Sequence, residues 1–230
     1  MIFQKSHTVL FDLDGTIVRS RDGIVDSIHA LLRDLGHEPD MSMDLTWVVG
    51  PPLEELIGHV LAHYGDDRVQ EAMALYRKHY ESEGMHKSPV FDHMRNVIET
   101  LSAEGVRLFI ATSKPRHLAR KILHLRNLVQ YFDGLSGARA DDSGAEKPEL
   151  IASLLREPDV RREDALMIGD RRFDISGAHA NHVRALGVLW GYGSREELTE
   201  AGADARVSQP SELLDAIRQQ FAAAEAHPHR

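Results

Sequence analysis

The sequence predicts an α/β fold: a parallel sheet flanked by helices, interrupted once by an all-helical insertion. Three observations carry this. Short apolar runs of strand length recur at 9–11, 106–111, 131–135, 165–168 and 185–189. From Val106 onward they alternate with stretches of helical period, as repeated strand-helix units do. Between Ile17 and Met85 the alternation stops, and only helical spacing remains.

The first run ends abruptly in Asp12-Leu13-Asp14-Gly15-Thr16. A strand favours apolar and β-branched side chains. Two acids at its exit suit a ligand site beyond the strand end. They also suit a plain polar turn, and on this motif alone both readings stand. In the insertion, Ile24, Ile28, Leu31, Leu32 and Leu35 form a stripe closed by Gly36. Leu53, Leu56, Ile57, Val60 and Leu61 form a second, opened by Pro52; Val69, Met73, Tyr76 and Tyr80 form a third. These helices are expected to cap the strand ends; the alternative is that they cover one face of the sheet. The expected division is a core of residues 1–16 and 86–230 with a cap of 17–85. Later, Met94, Val97, Ile98 and Leu101 share a helix face, with Asp92 placed to cap it and Gly105 to end it. Leu118, Ile122 and Leu125 form the next face, after Pro115. Leu213, Leu214, Ile217 and Phe221 form the last, and residues 222–230 are expected to fray.

Composition narrows the function. With 230 residues and 42% hydrophobic content, one large domain or two smaller ones can form. A formal charge of -9 argues against nonspecific nucleic-acid or anionic-membrane binding. There is no cysteine, which excludes disulfides, zinc-thiolate sites and thiol catalysis. Residues 1–7 lack the apolar core of a secretory signal, and no run is long enough to span a bilayer. The expectation is a cytoplasmic protein, monomer or homodimer. His59 and His63 have the spacing of a zinc helix, but Val60 stands where a hydrolytic glutamate belongs, so no metal is expected there.

Three more polar clusters follow apolar runs: Thr112-Ser113-Lys114, Glu146-Lys147-Pro148, and Gly169-Asp170 with Asp174. In a parallel sheet all strand exits face one side. Asp12, Asp14, Thr112, Lys147, Asp170 and Asp174 then meet in one crevice. Several carboxylates suit a hard cation, with magnesium the natural choice. A hydroxyl and an ammonium suit a phosphoryl group. Singly, each residue also has a bland reading: a helix cap, a surface lysine, acids at a helix N-terminus.

Taken together, these motifs resemble the haloacid dehalogenase-like hydrolase superfamily, with its Rossmann-like core. The closest likeness is to the phosphoglycolate phosphatase-like branch with a helical cap. Residues 49–53 and 187–193 share that likeness. The resemblance implies a magnesium-dependent phosphatase of small phosphorylated metabolites, phosphoglycolate phosphatase-like or 5'-nucleotidase-like. Asp12 would be the nucleophile, already ionised near neutral pH. Asp14 would be general acid, then base. Gly15, Thr16, Thr112, Ser113 and Lys147 would hold the phosphoryl group. Magnesium would lie on Asp12, Asp170 and the carbonyl of Asp14, supported by Asp174. Two departures stand out. Arg171 and Arg172 follow Asp170 where relatives carry small residues, and are expected at the surface, away from the metal. Asn181-His182 replaces an alanine-glycine pair, with an effect expected on packing only. Asp14 disfavours dehalogenase chemistry. A phosphosugar mutase of the same superfamily and a non-catalytic scaffold remain alternatives. A signalling receiver domain would be about half this length.

Overall fold

Strand β1 (Thr8–Phe11) is buried along its whole length, because it lies inside a sheet covered on both faces. The computed structural model describes residues 3, 4 and 6–226. Five further strands complete the sheet: β2 (Arg107–Pro115), β3 (Gly134–Ala138), β4 (Ala165–Gly169), β5 (Arg184–Val188) and β6 (Ala205–Val207). All pairs are parallel and the spatial order is β3-β2-β1-β4-β5-β6. Side chains alternate across the sheet. Phe11, Ile110 and Ile168 join one apolar cluster, while Leu10, Phe109 and Met167 join another on the opposite face.

The order places β1 between β2 and β4, where successive connections part to opposite sides. That is where open α/β sheets bind ligands. The register pairs Phe11 with Ile110 and with Ile168, so Asp12 leaves β1 level with the C-terminal ends of β2 and β4.

Between β1 and β2 lie the helices α1 (Arg21–Asp34), α2 (Leu53–His63) and α3 (Val69–Ser82), then α4 (Met94–Ala103). The stripes read from sequence are buried: Ile24, Ile28, Leu31 and Leu32 in α1, Leu56, Ile57, Val60 and Leu61 in α2, Met73, Tyr76 and Tyr80 in α3. The chain leaves and re-enters the core on two paired segments. Val18 bridges Val90 antiparallel, and Arg19 N donates to Pro89 O at 2.8 Å. α1–α3 sit over the strand exits, not over a sheet face: Leu56, Tyr76 and Tyr80 line the same crevice as Asp12 and Thr112.

The core continues with α5 (Arg116–Leu125), α6 (Lys147–Leu154), α7 (Arg172–Ala180), α8 (Arg195–Glu200) and α9 (Leu213–Ala226). Some expectations fail in detail. The run 131–135 is mostly not strand. A 3-10 turn occupies Val129–Tyr131 and β3 begins at Gly134, where any side chain would collide with the Phe109 ring. β6 has only three residues and too little apolar pattern to announce itself. Asp92 does not cap α4; His93 holds that position in the left-handed region, with no side-chain cap. Leu125 is exposed, and Leu118, Ala119, Ile122 and Leu123 make the buried face of α5. α9 continues to Ala226, past the expected fraying point, and the rest of that tail, 227–230, lies outside the described residues.

Candidate active site

The ladder of β1 with β4 extends one residue beyond the strand, through Asp12 N to Ile168 O at 2.9 Å. This fixes the Asp12 backbone and sends its side chain into the crevice. Lys147, the first residue of α6, is buried with it. The ammonium donates to Asp12 Oδ1 at 2.6 Å and to Ala111 O at 2.8 Å, and pairs with Asp174 Oδ1 at 2.6 Å. Two protons of the ammonium are thus placed in hydrogen bonds, and Asp174 is held as an ion pair.

Asp170 follows β4 and is fully buried. Its Oδ1 accepts from the Thr16 hydroxyl at 3.2 Å and its Oδ2 from Tyr192 N at 2.7 Å. Asp174 lies in the first turn of α7, where the helix dipole favours an anion. Its Oδ2 accepts from Arg171 N at 3.0 Å. Gly15 stands against this group at φ +87°, and a Cβ there would sit 2.3 Å from Asp170 Oδ2. Only glycine meets both demands.

Asp12, Asp170 and Asp174 each offer an oxygen within 4.8 Å of one another. The Asp14 carboxylate is turned elsewhere. Its Oδ2 lies 3.2 Å from Lys114 Nζ, and its buried Oδ1 has no hydrogen-bond partner among the described residues. Lys114 Nζ also donates to the Tyr80 hydroxyl of α3 at 2.8 Å.

Charge in the crevice floor is out of balance. Among the described residues, the carboxylates of Asp12, Asp14, Asp170 and Asp174 outnumber the ammonium groups paired with them, Lys147 and Lys114. Burial pushes the Asp12 carboxyl up to about 7; Lys147 pulls it down, while Asp174 and Asp14 push the same way as burial. Burial, then Asp12 and Asp174, hold Asp170 well above the usual carboxylate range. Burial alone would lower the Lys147 ammonium, but Asp12 and Asp174 outweigh it and the net shift is upward. Burial and the neighbouring acids thus oppose the Asp12 anion, and Lys147 favours it. Three converging hard oxygens and surplus negative charge fit a magnesium-like ion.

The other predicted residues divide. Thr112 is buried and its hydroxyl oxygen accepts from Lys114 N at 3.2 Å, which leaves its proton for another acceptor. The Ser113 hydroxyl is committed to Ala145 O at 2.8 Å, and the Thr16 hydroxyl to Asp170. Neither is spare for a phosphoryl oxygen. Arg171 is not a surface residue. Its Nε donates to Glu197 Oε1 at 2.9 Å, its Nη1 donates to Val49 O, and its side chain is 12% exposed. Arg172 is exposed, its guanidinium over the Phe173 ring. Asn181 does more than fill space: its side-chain amide donates to Pro148 O at 2.9 Å, tying α7 to the start of α6. His59 lies against the Trp47 ring and His63 pairs with Asp40.

Sequence reading missed Tyr192, Glu197 and the Arg77–Asp142 pair as parts of this site. Tyr192 lies in the 187–193 segment, which braces the first motif. Trp190 Nε1 donates to Thr16 O at 3.0 Å, and Arg21 N donates to the Tyr192 hydroxyl at 3.0 Å. Glu197 lies in the run 196–198 that shares the family likeness, but no spacing pairs it with Arg171, and Asp142 carried no local signal.

Comparison with known proteins agrees with this geometry. The family described as haloacid dehalogenase-like hydrolase matches residues 9–188. The chain belongs to that family. It is 37% identical to a 5'-nucleotidase of Pseudomonas aeruginosa over 217 residues, covering 92% of this chain and 93% of that one. It is also 37% identical over 186 residues to the tyrosine-protein kinase PtkA of Mycobacterium tuberculosis, covering 80% of this chain but 62% of that longer protein. A predicted phosphatase from Clostridium acetobutylicum superimposes with a TM-score of 0.84 at 33% identity, covering 93% and 98% of the two chains. The haloacid dehalogenase-like fold is thus a shared feature.

Proposed function

We propose that this member of the family is a magnesium-dependent phosphatase of small phosphomonoesters, working through a phosphoryl group carried on Asp12. The observation that supports it best is the Asp12 carboxylate, held on one oxygen by Lys147 and grouped with Asp170 and Asp174. The 5'-nucleotidase and phosphatase names among its relatives point the same way.

In this reading Asp12 Oδ2 attacks phosphorus while Lys147 restrains Oδ1. The bond to the leaving oxygen breaks, and Asp14 gives that oxygen a proton. Asp14 then takes a proton from water. The resulting hydroxide attacks phosphorus, the Asp12–phosphorus bond breaks, and phosphate leaves. Thr112 donates its hydroxyl to a phosphoryl oxygen. Asp12, Asp170 and the Asp14 carbonyl would hold the magnesium ion, with Asp174 behind them. When bound, the ion supplies positive charge to the phosphoryl oxygens, and positioning with charge stabilisation is what phosphoryl transfer mostly requires. Residues 1–16 and 86–230 form the catalytic core in this scheme. Residues 17–85 form a cap that excludes water while the acyl phosphate forms on Asp12.

The test is phosphate release from p-nitrophenyl phosphate by the purified chain, with and without magnesium. Magnesium-dependent release that disappears in Asp12→Asn supports the reading. Isomerisation of a sugar phosphate without free phosphate selects a mutase instead, and no turnover selects a scaffold.

A further inference from the structure

Among the described residues, four cations line the crevice: Arg77, Lys114, Lys147 and Arg171. Each already has a carboxylate. Arg77 of α3 donates to Asp142 Oδ2 from Nε at 2.8 Å and from Nη2 at 2.5 Å. Lys114 faces Asp14, Lys147 faces Asp12 and Asp174, and Arg171 faces Glu197. Arg171 also spends Nη1 on the Val49 carbonyl.

The two lysines serve the floor, beside the phosphoryl position. Arg77 and Arg171 stand higher, on the side of α2, α3 and the loop before them, where the rest of a substrate must lie. A divalent ion and a phosphoryl dianion arrive with equal and opposite charge, so their binding leaves this balance as it was. Around the two arginine pairs the wall is apolar, built from Val49, Leu53, Leu56, Tyr76 and Phe173.

A leaving group with a carboxylate or a second phosphate would meet only guanidinium groups already neutralised. To capture it, the site would have to strip Asp142 of Arg77 and leave that acid unpaired in a half-buried place, or take Arg171 from Glu197, whose Oε1 would keep only the Arg172 N–H. We infer that the leaving group is uncharged. Resting on the phosphatase reading above, this assigns the crevice to phosphomonoesters of neutral alcohols with an apolar face, nucleosides among them. It selects against esters of glycolate-like acids, bisphosphates and diphosphates. Arg77 and Asp142 together are the specificity pair.

Phenyl phosphate and 4-carboxyphenyl phosphate test this, since they share a ring and differ by one anion. With magnesium present, the full chain turns over the phenyl ester with a kcat/KM higher by about tenfold or more. Asp142→Asn leaves Arg77 unopposed and shifts that ratio by about tenfold toward the carboxylate ester. The ratio is read within one protein, so a partly folded variant does not distort it. Equal or faster turnover of the carboxylate ester by the unmodified chain overturns the inference and leaves the phosphatase reading standing. An unchanged ratio in Asp142→Asn overturns it too. No phosphate from either ester removes the phosphatase reading, and the inference with it.

Discussion

The floor and the roof of this crevice are both lined with ion pairs, yet they are built on opposite rules. On the floor, carboxylates outnumber ammonium groups, and Lys147 reaches Asp12 and Asp174 at 2.6 Å each. Every member there is set by a strand exit or the helix after one. On the roof, charges cancel in pairs: Arg77 of α3 with Asp142 of the core, and Arg171 with Glu197, while Arg171 also donates to the Val49 carbonyl. A surplus of negative charge calls for a cation and gives it a fixed place. Balanced pairs call for nothing, and they can part and re-form when the helices move. Under the proposed function, the floor would carry the chemistry and the roof would select the leaving group.

Substitutions test this contrast, beginning with the largest expected effect. Asp12→Asn removes the attacking oxygen with almost no change in shape. It is expected to lower kcat by on the order of 10⁴-fold or more, with the thermal midpoint preserved. Activity near that of the parent would break the assignment of chemistry to the floor. Lys147→Met leaves Asp12 and Asp174 buried without their cation. Breaking such a pair costs about 3–5 kcal/mol, read as a lower denaturant midpoint for the metal-free protein. A loss below 1 kcal/mol would mean that Lys147 holds the floor together less than its three contacts suggest.

Asp170→Asn takes the opposite direction. It relieves repulsion from Asp12 and Asp174, so the metal-free protein should gain about 1 kcal/mol, or 2–4 °C in thermal midpoint. The same variant should lose the upward shift that magnesium gives the parent, because ligand binding to the folded state raises the midpoint by mass action. Destabilisation without metal would contradict the surplus-charge account. The smallest effect belongs to the roof. Tyr80→Phe deletes one acceptor of Lys114 and should cost about 1 kcal/mol. Asp14 keeps its lysine, so kcat should change less than threefold. A larger fall in kcat would show that α3 acts on the chemistry directly and would blur the division between floor and roof.

The floor was legible in the sequence and most of the roof was not. Asp12, Asp14, Thr112, Lys147, Asp170 and Asp174 each follow an apolar run, and parallel strands bring such exits to one side. The inserted helices were legible through their 3.6-residue spacing. Tyr80 shows the limit of that signal. It completes an apolar stripe, and only the folded chain reveals that its hydroxyl accepts from Lys114. Arg171 read as a surface residue because arginine usually is one. Its partners Glu197 and Val49 are distant in sequence, and no local spacing pairs them with it. Thr16 and Ser113 were placed correctly along the chain, but the atoms their hydroxyls bind could not be read from spacing.

The sequence by itself determined the layered fold, the side of the sheet that carries the site, and the acids and ammonium gathered there. Periodicity and strand exits are local properties of the chain, and they survive without knowledge of any partner. The tertiary structure alone decided which carboxylate faces which cation. It decided that Asp12 is buried between Lys147 and other acids, and that the cations of the roof are already matched. Burial and pairing depend on residues far apart in the chain, whose meeting no local pattern encodes.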